Sequence, residues 1–393
     1  METNLSKIDN DTYTDTHFDD IRPLKDSEVK DAIDFLLNDV WFKKIVEPLI
    51  LPIPWIEFAD KLKRCENIND FQENVIYTII FKFIKGSVDK LWLVNPLEID
   101  LRDSHLYISN HRDIVLDAGL FNILLHEEGY ETTEIAIGDN LLIYPWITTL
   151  VRLNKNFIVK RDVPVRQMLD VSKHLSEYIH KNIIKEKQSV WIAQREGRAK
   201  DSNDRTQTSL LKMLSLVDRK NPLKSLQTLK IVPLSISYEY DPNDYLKAKE
   251  FQLKRDIDDY KKTNADDLIS MFTGIEGYKG KVCFRLGKPL NEKIDLISET
   301  KKPKEILEEV ANLIDEEIFK NYEMFPPNYI AYDLTTKSNK FTDKYTTEEK
   351  NNFIEYVSKQ VDKITIENKD EDFLKNSIIE MYANTLINHL SVL

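Results

Sequence analysis

Between about residue 90 and residue 245, short apolar runs alternate with longer segments of helical period, and that alternation leaves few architectures open. The runs are Leu91-Trp92-Leu93-Val94, Leu106-Tyr107-Ile108, Thr133 to Ile137, Phe157-Ile158-Val159, Val190-Trp191-Ile192-Ala193 and Ile231 to Ile236. Between them, Leu116 to Glu128 and Val165 to Ile184 space their apolar residues as helices do. Strand-length runs joined by helical segments build a parallel sheet covered by helices. The expected fold is therefore α/β, a largely parallel sheet flanked by helices, over residues 89–295. A helical N-terminal region is expected over residues 1–88 and a helical C-terminal region over residues 296–393.

In the first region, Asp26-Ser27-Glu28 starts a helix whose face carries Val29, Ile33, Leu36 and Val40, and a second helix runs from about Asp70 to Lys85 and stops at Gly86. After Tyr240, the charged stretch Asp241 to Asp267 reads as a solvated helix or a long excursion. Gly274-Ile275-Glu276-Gly277-Tyr278-Lys279-Gly280 reads as a turn before a strand-like Val282 to Leu286. Those glycines lack the preceding buried strand and following helix of a nucleotide-binding loop. From Lys304 onward, several helices are separated by Pro326-Pro327 and by a polar stretch near Lys337 to Lys344.

Charge narrows the partners. The formal net charge of −12 argues against a general nucleic-acid binder, which needs an excess of cations on one face. The balance is uneven along the chain: Glu2 to Asp39 holds eleven acidic against four basic residues, whereas residues 151–200 hold twelve Lys or Arg against five Asp or Glu. An anionic ligand is drawn to the middle of the chain. Cys65 and Cys283 stand far apart without a CxxC partner, His105 and His111 are six apart, and no His-Glu-x-x-His occurs, so no metal site is expected. Met1 to Asp20 is polar and acidic, unlike a secretory signal, and no run reaches the roughly 18 apolar residues of a spanning helix. Val75 to Phe81 and Leu141 to Ile147 are too short to span and fit the core better than a membrane surface. The expected location is cytoplasmic.

Four segments carry chemistry. Asn110 and His111 follow the run Leu106 to Ile108, the place where open α/β sheets put their sites. A histidine oriented by a carboxylate is a general base, and two carboxylates, Asp113 and Asp117, are within reach. Asp117 is the favoured partner and Asp113 the helix-capping or substitute residue. Phe157 to Val159 ends in Lys160-Arg161. Val190 to Ala193 leads into Gln194-Arg195-Glu196-Gly197-Arg198, where arginine can fork onto a phosphate and glycine lets backbone N–H groups approach it. Ile231 to Ser237, with Pro233, forms an apolar wall that fits core packing better than an acyl channel.

In this order and spacing the segments resemble the glycerophospholipid acyltransferase family, most closely the bacterial glycerol-3-phosphate acyltransferases and their lysophosphatidate-acylating relatives. The family's His-x4-Asp motif falls on His111 to Asp117 with one extra residue. Its strand ending in arginine falls on Phe157 to Arg161, its Glu-Gly-basic motif on Glu196-Gly197-Arg198, and its Val-Pro strand on Val232-Pro233. The resemblance covers roughly residues 90 to 245. It implies an acyltransferase in phospholipid biosynthesis with His111 as base, Asp117 orienting it, no acyl-enzyme and no cofactor or metal. Asn110, Arg161, Glu196, Gly197 and Arg198 bind substrate in this reading, with Glu196 orienting Arg198 or the loop. The donor is acyl-CoA or acyl carrier protein, and the acceptor is glycerol-3-phosphate or lysophosphatidate; since donor and product are amphiphiles, the resemblance also implies a peripheral place on the inner face of the membrane. The rivals are an acyl thioesterase and a non-catalytic lipid-binding protein on the same fold; a Gly-x-Ser-x-Gly esterase elbow does not occur.

Overall fold

The computed structural model describes residue 14, residues 16–161 and residues 163–393; most of the acidic N-terminal stretch Met1 to Asp20, and Asp162, lie outside them. The apolar runs become strands β1 (Val88–Val94), β2 (Leu106–Ser109), β3 (Glu134–Gly138), β4 (Asn156–Val159), β5 (Val190–Ala193), β6 (Ile231–Tyr238) and β7 (Gly280–Leu286). They form one sheet in the order β1-β7-β6-β2-β5-β3-β4. β6, β2, β5, β3 and β4 run parallel; β7 is antiparallel to β6 and carries β1 parallel at the edge. The chain has the expected fold, a mostly parallel sheet flanked by helices.

Strands covered on both faces read as unbroken apolar runs, and every residue of β2 and β6 is buried. One face packs against the helices Val165–Lys181 and Pro303–Lys320 through Ile179, Val310 and Ile314. The other packs against Leu116–Glu127 through Leu120, Phe121 and Leu124. β6 lies in this core, as its apolar run implies. Because β5 is inserted between β2 and β3, the loops that follow β2, β5, β3 and β4 emerge side by side at one edge of the sheet.

Three local expectations need correction. The apolar stripe from Val29 ends at Leu36, because Asp39 accepts the N–H groups of Trp41 and Phe42 (both 2.8 Å) and caps a new helix, Val40–Ile50; Val40 is 76% exposed. The glycine-rich stretch is a turn only over residues 277–279, since the helix Asn264–Glu276 runs through Gly274. Of the stretch after Tyr240, Lys254 to Asp259 are exposed as expected, but the helix Asp244–Asp256 buries Asp244, Lys247, Glu250 and Gln252. Two C-terminal helices, Thr347–Asp362 and Glu371–Leu390, cover it and supply partners. Lys247 pairs with Asp241, and Asp244 accepts the Tyr356 hydroxyl (2.7 Å), the Tyr382 hydroxyl (2.9 Å) and the Gln360 side-chain amide.

The Tyr382 hydroxyl also accepts the N–H of Asp241 at 3.0 Å. Tyr382→Phe therefore strands a buried amide and takes a donor from a buried carboxylate, and is expected to cost about 1–3 kcal/mol in chemical denaturation. An unshifted transition midpoint would remove this network from the forces holding the C-terminal helices.

Among the described residues, no helix is long and apolar enough to cross a membrane. Of the two short apolar segments, Val75, Tyr77 and Ile80 are buried whereas Phe81 is exposed; Trp146 is buried whereas Tyr144 is exposed.

Candidate active site

β2 delivers the first site residues. Asn110 is fully buried, its Nδ2 donating to the carbonyl of Ile236 and its Oδ1 accepting the N–H of Ile236, both at 2.8 Å. Both ends of the amide are spent on β6, so Asn110 is a strut beneath the site and not the substrate contact expected of it. His111 follows, and its Nδ1 lies 2.9 Å from Asp117 Oδ2. That oxygen also accepts the N–H groups of Arg112 (2.6 Å) and Asp113 (3.0 Å), so three donors aim at one buried carboxylate oxygen. The extra residue between His111 and Asp117 is absorbed in the turn before the helix, where Asp113 Oδ1 accepts the N–H groups of Val115 (2.9 Å) and Leu116 (2.8 Å). Asp113 is thus a helix cap. Burial, then the neighbouring Asp117, pushes its carboxyl above the ordinary range.

With Nδ1 committed to a carboxylate, the imidazole is the tautomer with hydrogen on Nδ1, and Nε2 makes no hydrogen bond to any described residue. The ring packs edge-on against Trp191, with centroids 5.9 Å apart.

Arg161 stands at the end of β4. Its guanidinium pairs with Glu196 (3.2 Å), and its N–H donates to Asp139 Oδ1 (3.1 Å) in the loop after β3. Glu196 therefore pairs with Arg161, where Arg198 or the loop was expected. Gly197 has φ +67°, a left-handed conformation that favours glycine. Beyond it the Arg198 side chain is buried; its Nη1, like Nε of Arg195, has no hydrogen-bond partner among the described residues. Burial, then Arg198, brings Lys200 down to about 8.

A cavity of about 860 Å³ connects these groups. His111, Arg161, Arg195, Gly197, Arg198 and Lys200 line it together with Phe42, Phe71 and Ile79 of the N-terminal helices and Met271 and Phe272 of Asn264–Glu276. That volume lies within the usual range of small-molecule sites. Its lining combines cationic side chains with many apolar ones, which suits a ligand that is anionic at one end and hydrocarbon at the other.

Several contacts that shape the site join residues distant in sequence. A Cβ on Gly138 would lie 2.6 Å from Nε of Arg161, so that glycine is the floor on which the guanidinium rests. A Cβ on Gly274 would meet Asp113 Oδ2 at 1.8 Å, so a helix in the last third of the chain seats the cap of the His111 turn. Arg112, 5% exposed, pairs with fully buried Asp204 (3.2 Å) and lies over the Tyr322 ring at 5.7 Å. No local spacing signals any of these, because each partner is distant in sequence.

Residues 94–237 match the family model described as Acyltransferase, so this segment, from the end of β1 to the end of β6, is an acyltransferase-family domain. No curated protein matches the chain. Among solved structures, it is similar to the 1-acyl-sn-glycerophosphate (LPA) acyltransferase PlsC from Thermotoga maritima at 12% identity and a TM-score of 0.34, over 74% of this chain and 95% of that one.

Proposed function

From an acyltransferase domain over residues 94–237, we propose that the protein moves a fatty acyl group from an acyl thioester to a hydroxyl of a glycerol phosphate acceptor. The acceptor is glycerol-3-phosphate or lysophosphatidate, and the donor acyl-CoA or acyl carrier protein. The observation that carries this reading is the cavity in which His111, held by Asp117 at 2.9 Å, faces both arginines and an apolar wall. His111 Nε2 takes the proton of the acceptor hydroxyl as its oxygen attacks the thioester carbonyl. The tetrahedral intermediate collapses by breaking the carbon–sulfur bond, and the departing thiolate takes the proton back from His111. No acyl-enzyme, metal or cofactor enters the sequence. Arg161 and Arg198 bind the acceptor phosphate, Glu196 orients Arg161, and the apolar wall holds the acyl chain.

The test is acyl transfer by purified protein from palmitoyl-CoA and palmitoyl carrier protein, with glycerol-3-phosphate and lysophosphatidate as acceptors. Ester product that depends on the acceptor supports the proposal; free fatty acid released at the same rate without acceptor replaces it with a thioesterase. Charge-assisted hydrogen bonds are worth about 1.5–3 kcal/mol, so Arg161→Ala is expected to raise the acceptor KM about ten- to hundredfold with a smaller change in kcat. An unchanged acceptor KM would take Arg161 out of the phosphate site.

Peripheral membrane association belongs to the same proposal, since substrate and product are amphiphiles. It is supported by Val165, Met168 and Leu169, exposed at the start of a helix whose Val171 and Ser172 line the cavity. The double substitution Met168→Asp/Leu169→Asp is expected to abolish co-sedimentation with anionic lipid vesicles; vesicle binding equal to that of the parent would move the contact elsewhere.

A further inference from the structure

Away from the cavity, one cluster of metal-ligating side chains is assembled from parts of the chain that no sequence spacing relates. His174 and Glu177 stand one turn apart on the helix Val165–Lys181, and His17 reaches them from the N-terminal segment. That segment is well anchored. Phe18 is buried, with its ring 5.0 Å from that of His174 and 5.3 Å from that of Tyr178. Ile158 of β4 donates its N–H to the carbonyl of Ile21 (2.8 Å), and the Arg152 guanidinium donates to the carbonyls of Asp19 (2.9 Å) and Arg22 (2.8 Å). One ligand atom from each of His17, His174 and Glu177 lies within 4.8 Å of the other two.

We propose that His17, His174 and Glu177 form a divalent transition-metal site of the zinc class that clasps the N-terminal segment to this helix. Two imidazoles and a carboxylate are a donor set that zinc takes, with a water completing the coordination. Glu177 is nine-tenths buried, and its carboxylate accepts no hydrogen bond among the described residues; the Lys173 ammonium stands 3.7 Å from it and the His17 ring 4.0 Å. A buried carboxylate held only by an exposed ammonium at that distance, without a hydrogen bond, gains from a cation that meets it directly. Nε2 of His174 lies 2.9 Å from Asp20 Oδ1, the arrangement by which a carboxylate fixes the orientation of a ligating imidazole. Ligand atoms on one zinc ion stand about 3.3 Å apart, so a shift of roughly an ångström or more in the exposed His17 side chain closes the set. Asp20 also pairs with Lys160, which lines the cavity, so the clasp reaches the wall of the active site.

The test uses the full-length, untagged protein stripped with EDTA and titrated with Co²⁺ and then Zn²⁺. One equivalent of Co²⁺ should bind with the visible absorption of a four- or five-coordinate site and be displaced by Zn²⁺, and Zn²⁺ should raise the Tm. His17→Ala and Glu177→Gln should each weaken binding at least about tenfold, and Asp20→Asn about ten- to hundredfold, with circular dichroism unchanged. His17 is exposed, so its substitution remains decisive even where a helix variant fails to fold. Absence of stoichiometric binding, or binding that His17→Ala and Glu177→Gln leave unchanged, overturns the proposal.

Discussion

His111→Ala is expected to lower kcat for acyl transfer by about 10²- to 10⁴-fold while leaving the protein folded. The imidazole is the only titratable group that both lines the cavity and is oriented by the buried Asp117 carboxylate among the described residues. On the proposed mechanism, its loss removes proton transfer from the reacting hydroxyl without touching the arginines assigned to the acceptor. The base acts in the transition state, so kcat and kcat/KM should fall together and the acceptor KM should stay close to that of the parent. Stability should change little. Asp117 keeps the N–H groups of Arg112 and Asp113 when it loses the ring, a deficit of one hydrogen bond worth about 1 kcal/mol. Turnover near that of the parent from a folded His111→Ala protein would falsify the base assignment, and with it the reading of Asp117 as the residue that orients the base.

That the pair was visible in sequence at all follows from its locality. His111 and Asp117 lie within one strand-to-helix turn, and the strands that flank the site are buried on both faces, so periodicity finds them. The sequence favoured Asp117 over Asp113, and the geometry gives the reason: a residue at the fourth position past β2 has its carboxylate free to cap Val115 and Leu116, whereas one in the first helical turn points back at the ring. What escaped was long-range. Asn110 is expected to bind substrate, yet the partner of its amide, Ile236, lies 126 residues on. Glu196 is expected to orient Arg198 or the loop, and the order of strands β5, β3 and β4 brings Arg161 beside it instead. Asp244, in the stretch expected to be solvated, is buried because its partners are tyrosines and a glutamine more than a hundred residues away. Local spacing carries the strands and the base; buried polar partners are a property of the topology.

Asp204→Ala is the substitution expected to cost the most stability, about 3–5 kcal/mol, the amount lost when one half of a buried ion pair is removed. Its partner, Arg112, is 5% exposed, and a guanidinium cannot shed its proton to escape an apolar site. The Tyr322 face at 5.7 Å and more distant acids such as Asp241 attract the stranded charge but do not pair with it closely. The reverse substitution should be milder. Arg112→Met leaves Asp204, whose carboxyl burial already pushes upward against the pull of Arg112, and an acid can become neutral by taking a proton. Urea denaturation of the two variants at neutral pH should rank Asp204→Ala below Arg112→Met; the opposite order would mean that the charge is relieved by its surroundings and not by this pair. The same pair ties the two loops to which the proposed mechanism assigns the base and the phosphate site. Arg112 follows His111 and donates its N–H to Asp117, and Asp204 belongs to the segment that continues from Glu196-Gly197-Arg198. Loss of the pair should therefore lower acyl transfer by more than the unfolded fraction accounts for, even in conditions where Asp204→Ala remains folded, because the base and the phosphate-binding loop are then held to the sheet but no longer to each other.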